Sequence, residues 1–454
     1  MARSPDRMAV GAGLGAFSKA SDLRQRILFT LGALIVYRLG TYIPVPGINP
    51  DVLSDIFSRN SSGILGMFDM FSGGSLGRMT IFALTIMPYI TASIIMQLMT
   101  SIVPSLETLK KEGEAGRKII NQYTRYLTVL LATVQGYGIA VGLEQAEGVV
   151  YDPGMFFRVT TVVTLVGGTL FLMWLGEQIT QRGVGNGISL IIFSGIVANL
   201  PSALAGTFEL GRTGALSPFL ILFFLMMAVG VIAFIVFIER AQRRILIQYP
   251  KRQQGNKTFG GESSHLPLKV NVAGVIPPIF ASSLLLMPVS VLSLTNSADG
   301  GAGWLVTLNA LLGRGQPLYL GIYIALIVFF AFFYTAIVFN PSETSENLRR
   351  YGGYVPGIRP GQPTADYLDY VLTRLTVLGA AYLSAVCILP EILISQYAVP
   401  FYFGGTSLLI VVTVTLDTVG QVQSHLLAHQ YEGLLEKSQL RGKRRGKKGG
   451  VTRR

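Results

Sequence analysis

Long apolar runs, separated by shorter polar segments, dominate the chain between residues 26 and 426. A helix that crosses a membrane needs ~20 mostly apolar residues, and ten runs fit such helices. We therefore predict an all-α membrane protein with ten transmembrane helices. The predicted spans are residues 26–43, 76–100, 123–143, 155–177, 186–206, 216–238, 271–294, 318–339, 371–394 and 402–426.

Several stretches depart from uniform spans. Residues 64–75 are apolar but too short to cross a membrane, so we predict a short re-entrant or pore-lining helix there. Proline or glycine interrupts three spans, at Pro88, at Pro277 and Pro278, and in the Gly-Asn-Gly sequence of residues 185–187. Irregular backbone at membrane depth is tolerated where protein or an aqueous cavity surrounds it. We therefore expect these interruptions to face protein or water rather than lipid.

The composition supports a membrane environment. Only 13% of the 454 residues are charged and 50% are apolar, whereas soluble domains carry ~25% charged residues. Residues 1–25 are polar and basic, and they lack the apolar core and small-residue cleavage site of a signal peptide. We therefore expect the first apolar run to be a retained span, and a soluble multidomain enzyme does not fit the pattern.

The positions of the 37 lysines and arginines predict how the chain crosses the membrane. Most of them lie before the first span, in loops that follow even-numbered spans, and in the C-terminal tail. Basic residues favour the cytoplasmic side, so both termini are predicted to be cytoplasmic and the number of spans even. Ten spans divide into two sets of five, and an odd number per set gives the second set an inverted topology. The predicted parts are a cytoplasmic N-terminus (1–25), a first half (26–206), a second half (207–430) and a basic cytoplasmic tail (431–454).

Two predicted cytoplasmic loops, residues 239–271 and 340–370, are longer and more basic than orientation requires. Attraction to anionic lipid, ~1 kcal/mol per basic residue near the surface, is one explanation, and docking of a partner is the other. In the second loop, glycine and proline flank Arg359 on both sides. Such a frame displays one guanidinium, which suits contact with a carboxylate or phosphate.

Charged side chains are nearly absent from the centres of the spans. Ion-coupled carriers usually place acids, histidine or arginine there, so the pattern argues against a secondary transporter of small solutes. Asp417 is the clearest exception, either as a structural hydrogen-bonding partner or as a functional group, and Glu391 lies near a span end. No nucleophile–base set indicates an intramembrane enzyme, and His425 and His429 lack the glutamate of a zinc motif. We therefore predict no catalytic residues, no metal site and no cofactor.

Strings of residues along the chain resemble the SecY family, whose members form the pore of the bacterial protein-secretion channel. The likeness runs in order from about residue 20 to about residue 435. The strings are YRLGTYIPVPGI (37–48), MFSGGSLGRMTIFALTIMPYITASIIMQL (70–98), KKEGEAGRKI (110–119), MWLGEQITQRGVGNGISLIIF (173–193), ERAQRRI (239–245), KRQQG (251–255), HLPLKVNVAGVIPPIFA (265–281), YTAIVFNP (334–341), VPGIRPG (355–361) and PFYFGGTSLLIVV (400–412).

This resemblance implies a channel for unfolded polypeptides in the bacterial plasma membrane, with two pseudo-symmetric five-helix halves around an hourglass pore. Spans 2 and 3 would face spans 7 and 8 across a lateral gate that releases apolar segments into lipid. The family's constriction ring corresponds to Ile86, Ile90, Ile192, Ile279 and Ile410. The family's plug corresponds to residues 64–75, with the apolar side chains Ile64, Leu65, Met67, Phe68, Met70 and Phe71. Spacing alone relates only Ile86 to Ile90, one helix turn apart, and it favours an ordinary packing or lipid-facing surface.

By the same resemblance, the two long loops bind the SecA motor ATPase or the ribosome. The corresponding docking residues are Arg243, Arg244, Lys251, Arg252, Lys257 and Arg359. The implied partners are SecE and SecG in a heterotrimer, SecA, the ribosome, signal peptides, the translocating polypeptide and membrane lipids, with SecDF and YidC as accessory partners. The channel would be passive and need no cofactor, because its partner supplies the work. The chain departs from the family pattern after residues 251–255, where Asn256 and Lys257 replace the usual two arginines.

Overall fold

The computed structural model of the protein describes residues 21–59, 69, 72–145, 148–214, 217–250, 252–254, 257–259, 263–285, 316–397 and 405–448. Most of these residues are helical. The helices are α1 (Ser21–Gly40), α2 (Pro50–Arg59), α3 (Met87–Ile102), α4 (Pro104–Lys111), α5 (Glu114–Gln145), α6 (Met155–Arg182), α7 (Gly187–Arg212), α8 (Pro218–Arg240), α9 (Ile276–Leu285), α10 (Pro317–Val338), α11 (Pro341–Arg350), α12 (Gln362–Tyr397) and α13 (Gly405–Lys448). Between α8 and α9 lie four strands, β1 (Gln242–Gln248), β2 (Arg252–Gln254), β3 (Lys257–Phe259) and β4 (Ser263–Lys269).

Each of the ten predicted spans corresponds to a helix. By length and composition, seven of the described spans are able to cross a membrane, and they are formed by α5, α6, α7, α8, α10, α12 and α13. The number becomes eight if α3 and α4, which meet at a bend of 98°, count as one span. The helix α9 is shorter, and residues 286–294 of its predicted span lie outside the described residues. The prediction of an all-α, multi-spanning membrane protein is confirmed.

The second predicted span, 76–100, is wrong at its start, because the helix begins only at Met87. Residues 72–86 form turns instead. Met79 and Thr85 have positive φ values of 43° and 52°, which a right-handed helix cannot contain. Main-chain hydrogen bonds to residues 43–45 satisfy part of this backbone. As expected for irregular backbone at membrane depth, the segment is enclosed by protein.

The other two interruptions are helix starts, so our prediction that they lie within spans is wrong. Pro277 and Pro278 occupy the first turn of α9, where the missing N–H group breaks no intrahelical hydrogen bond. Asn186 caps α7, because its side-chain oxygen accepts hydrogen bonds from the N–H groups of Ile188 at 3.1 Å and Ser189 at 3.4 Å. Such caps satisfy donors that the first helical turn leaves free.

One hydrophobic cluster, which we call the shared cluster, takes side chains from both predicted halves. α1, α3, α6 and α7 contribute from the first half, and α8, α9, α10, α12 and α13 contribute from the second. A second cluster belongs to the first half, where α2 and residues 72–86 pack on α5 and α6. A third cluster lies under β1, β4 and the start of α12. Van der Waals packing of side chains in the shared cluster therefore holds the two halves together.

The segment 239–271, predicted as a long loop between two spans, contains two antiparallel pairs of strands. β1 pairs antiparallel with β4, with Gln242 opposite Lys269, and β2 pairs with β3. Ile245 and Ile247 are buried while their neighbours in β1 are exposed or only half-buried. This alternation of burial with a period of two is typical of a strand with one buried face. The sequence QRRILIQ does not show it, because Ile245, Leu246 and Ile247 form a continuous apolar run.

Helix α6 approaches residues 72–86 so closely at Gly168 that a larger side chain does not fit. A Cβ atom at Gly168 would overlap the main-chain carbonyl of Ile81. The main chain of Ile81 cannot move away from such a Cβ atom as easily as the end of a flexible side chain could. A Cβ atom at the adjacent Gly167 would meet no atom within 4 Å. Substitutions at the two positions therefore distinguish the effect of the close approach from the effect of replacing a helical glycine.

We expect Gly168→Ala to lower the free energy of unfolding by ~1–3 kcal/mol, the usual cost of overpacking. Gly167→Ala is the matched control and should be neutral or slightly stabilising, because alanine favours a helix. Thermal unfolding of the purified protein in detergent measures both variants. Equal melting temperatures for the two variants would contradict the close approach.

Candidate functional site

The five isoleucines of the predicted ring line one small cavity. Ile86, Ile90 and Ile410 are buried, and Ile192 and Ile279 are half-buried against the shared cluster. The volume open to the centres of water molecules is ≈ 20 Å³, about the room that a single water needs. The space between these side chains is therefore too small for a hydrated ion. We call these five residues the neck.

Four helices from both halves position the neck. Ile86 is the N-cap residue of α3 and Ile90 lies one turn further along. The helices α7, α9 and α13 carry Ile192, Ile279 and Ile410. α3 and α7 belong to the first predicted half, and α9 and α13 belong to the second. A relative shift of the two halves would therefore change the width of the neck.

Five further residues of the cavity wall were not found by sequence reasoning. They are Tyr37, Thr85, Met87, Ile191 and Ser282. The Ser282 hydroxyl donates a hydrogen bond to the main-chain oxygen of Ile279 at 2.9 Å, so its proton is used within its own helix. The Tyr37 ring stacks on Phe82 with centroids 6.0 Å apart. These residues carry no local signal, since only tertiary packing brings their separate segments together.

The chemistry of this wall is that of an apolar constriction. Branched methyl groups offer water no hydrogen bonds, and a narrow apolar passage loses its water and thereby blocks ions. The same side chains have no charge and no fixed donor with which to select one peptide sequence. The five isoleucines themselves offer no group for acid–base or nucleophilic chemistry.

The predicted plug falls mainly outside the described residues. This applies to all six of its predicted apolar side chains, Ile64, Leu65, Met67, Phe68, Met70 and Phe71. The segment's C-terminal end is described. There the Arg38 guanidinium of α1 donates to the Gly73 carbonyl at 2.9 Å, and the Arg78 guanidinium donates to the Gly74 carbonyl at 3.0 Å. The end of the segment is thus tied to α1.

Asp69 lies in the same segment, outside the spans. Its carboxylate accepts a hydrogen bond from the Gly77 N–H group at 2.6 Å and a second one from the Ser72 hydroxyl at 3.3 Å. Burial raises the pKa of the Asp69 carboxyl above its ordinary value, and these hydrogen bonds oppose the rise. Asp69 is therefore bonded to Ser72 and Gly77 within residues 72–86.

The predicted docking residues are only partly described. Arg243 and Arg244 are exposed on β1, and Arg359 is exposed in the turn before α12. Arg252 and Lys257 begin strands β2 and β3. Lys251 lies outside the described residues.

The two long loops are joined into one unit. Gln248, at the end of β1, and Tyr354, near the turn of Arg359, exchange both main-chain hydrogen bonds, at 2.9 and 3.0 Å. Beneath them, Ile245 and Leu268 of the hairpin share the third cluster with Val355. The two segments therefore present their exposed arginines on a common framework, which we call the docking surface.

The turn that carries Arg359 is held from both sides. Gly357 and Gly361 have positive φ values of 83° and 108°, a conformation that glycine adopts without steric cost. The Thr364 hydroxyl donates to the Arg359 carbonyl at 2.8 Å, and the buried Ser345 hydroxyl donates to the Gly361 carbonyl at 2.6 Å. The backbone on each side of Arg359 is fixed while its side chain points to solvent.

The remaining candidates lie apart from the neck. Asp417 and His425 are exposed on α13, and the side chains of Glu391 and His429 are outside the described set. Among the residues that the structure describes, no group of three or more His, Cys, Asp or Glu could hold a metal ion.

A bundle of membrane-spanning helices around an apolar neck defines the class of multi-spanning membrane channels. The chain belongs to the SecY family, whose family model matches residues 80–419. It is 58% identical to the protein translocase subunit SecY of Rickettsia felis over 94% of this chain and 99% of that protein. It is 56% identical to the subunit of the same name from Pseudomonas aeruginosa, over 96% of this chain and 98% of that one.

Solved structures of channels have the same fold. One, described as a protein conducting channel, aligns with a TM-score of 0.64 and 16% identity over 88% of this chain and 92% of that chain. Sec61 in the canine ribosome-channel complex from the endoplasmic reticulum aligns with a TM-score of 0.61, also at 16% identity and with the same coverage of 88% and 92%.

Proposed function

We propose that the protein is the polypeptide-conducting subunit of a membrane translocase, through which unfolded chains cross at the neck. The observation that carries this proposal is the meeting of five isoleucines from both halves around a cavity of ≈ 20 Å³. The similarity to translocase subunits over nearly the whole chain supports the same activity. The protein acts as a passive pore and not as an enzyme.

Transport through the neck depends on the balance between sealing and passage. At rest, the isoleucines exclude water and so exclude ions. When the halves separate, an extended chain replaces the cavity, and the methyl groups pack around its backbone. Residues 64–75 are proposed to act as the plug of the resting channel, and the bonds from Arg38 to Gly73 and from Arg78 to Gly74 support an anchored C-terminal end.

Lateral release follows from transfer energies. A segment of ~20 apolar residues is favoured in hydrocarbon, while each charged residue at its centre costs ~2.5–3.5 kcal/mol. The proposed gate lies between α3 and α5 on one side and α9 and α10 on the other. The two helices on each side of the proposed gate pack on each other, which supports this arrangement. α3 packs on α5, and Phe280 of α9 packs edge-to-face on Phe330 of α10 with ring centroids 5.6 Å apart. An opening between them would let each passing segment partition by its own composition.

The docking surface is proposed to bind the ribosome or the motor ATPase SecA. The exposed Arg243, Arg244 and Arg359 suit the phosphates of RNA and the carboxylates of a protein, and a solved structure of the same fold is part of a ribosome-channel complex. SecE and SecG would complete the channel in the bacterial plasma membrane. The distribution of basic residues supports cytoplasmic termini. No cofactor is needed, because the partner supplies the work.

A photo-crosslinking residue placed at Ile86 tests whether the chain passes the neck. With a stalled translocating polypeptide, we expect an adduct at position 86 and none at Ile35 of α1, which is 60% exposed on the outside of the helix bundle. Adducts at Ile35 and none at Ile86 would overturn the proposed path.

Ile410→Ala should raise the ion conductance of reconstituted channels at rest severalfold, because the shortened side chain opens the neck to water. Leu409→Ala is the matched control, since Leu409 is also buried on α13 but does not line the cavity. Single-channel recording in planar bilayers measures both. Leakage that is equal in the two variants would indicate general loosening rather than a seal.

Arg359→Glu should slow SecA-driven uptake of a precursor into vesicles by about tenfold, since a hydrogen bond to a charged group contributes ~1.5–3 kcal/mol. Arg350→Glu makes the same charge change nearby, where Arg350 forms only an exposed ion pair with Glu346, and it should have little effect. Uptake is compared at equal amounts of channel. If both variants slow uptake alike, general electrostatic attraction explains the effect and Arg359 has no special role.

A further inference from the structure

Glu239 is a buried acid at the end of α8, directly before the β hairpin. Only 9% of its surface is exposed, and its carboxylate accepts a hydrogen bond from the side-chain amide of Asn271 at 2.7 Å. Asn271, directly after the hairpin, is 4% exposed. A buried carboxylate is costly even when it is hydrogen-bonded. Among the described residues Asn271 is its hydrogen-bond partner, and Lys269 and Asp417 interact with its charge.

The pair closes the base of the hairpin. The last hydrogen-bonded pair of strands β1 and β4 is Gln242 with Lys269, and below it the Val270 N–H group donates to the Ala241 carbonyl at 3.1 Å. The bond from Asn271 to Glu239 extends this ladder with side chains. The hairpin that carries the docking surface is thereby fixed to the end of α8.

Asn271 also fixes the start of α9. Its amide nitrogen donates to the Gly274 carbonyl at 3.0 Å, and its amide oxygen accepts from the Gly274 N–H group at 3.1 Å. Gly274 has a positive φ of 63°, so this short turn has a defined shape. α9 begins two residues later, at Ile276, and carries Ile279 and Ser282 to the cavity.

We infer that Glu239 and Asn271 are positioning residues that couple the docking surface to the neck, because one side chain joins the hairpin base to the start of α9. This inference rests on the proposed function. A displacement of the hairpin by a bound partner would reach α9 through Asn271, where an unrestrained turn would absorb it. The coupling changes the position of Ile279 without any contact between the partner and the neck.

Three variants of the complete channel complex in proteoliposomes test the coupling. Asn271→Asp places two carboxylates in contact and removes the donor. Glu239→Gln keeps an acceptor for Asn271 and serves as the conservative control. The double variant Glu239→Gln with Asn271→Asp restores one donor and one acceptor with their places exchanged. The measurements are the affinity for purified ribosomes, the rate of polypeptide transport and the melting temperature.

We expect Asn271→Asp to bind ribosomes as the unchanged channel does but to transport polypeptide about tenfold more slowly, which corresponds to ~1.4 kcal/mol. Glu239→Gln should transport normally, and the double variant should recover only part of the loss, because Asn271→Asp also removes the donor to the Gly274 carbonyl. Normal transport by Asn271→Asp would overturn the inference. The inference would also be overturned if Asn271→Asp lowered ribosome binding, the melting temperature and transport together and the double variant restored none of them. A pair with a merely structural role would give that result. An unchanged channel that transports no polypeptide would instead remove the proposed function, and this inference with it.

Discussion

Hydrocarbon provides no partner for a backbone N–H or carbonyl group, and this constraint shapes the whole molecule. A chain within a bilayer must satisfy its own main-chain hydrogen bonds, so its lipid-facing parts are helices. Irregular backbone occurs where protein surrounds it, as in residues 72–86, which bond to residues 43–45 and pack against α6 at Gly168. The helices form the wall, and the irregular segment is held inside it.

The neck forms because apolar side chains from separate helices meet at the junction of the two halves. A wall of isoleucine methyl groups excludes water from a passage as narrow as this one, without a charged group that a passing chain would have to displace. Because α3 and α7 of the first half and α9 and α13 of the second half line the cavity together, the seal depends on the relative position of the two halves. The shared cluster holds that position at rest.

The docking surface is exposed to water and is connected through the protein to the apolar interior. Two segments that are about a hundred residues apart become one framework through the bonds between Gln248 and Tyr354 and through the cluster around Ile245 and Val355. The same hairpin continues through Glu239 and Asn271 to α9 and the neck. A few hydrogen bonds therefore connect the proposed docking surface with the helix that carries Ile279 to the neck.

The sequence by itself determined the all-α class and the approximate spans, because lipid requires ~20 apolar residues per crossing and this requirement is local. It also placed Ile86 and Ile90 one helix turn apart, but the resemblance to a family supplied all five ring residues. The tertiary structure decided that α3 starts at Met87, because bonds to residues 43–45 compete with the helix in residues 72–86. It also decided the cavity wall and the pair of Glu239 with Asn271, since contacts between distant segments leave no period or spacing along the chain.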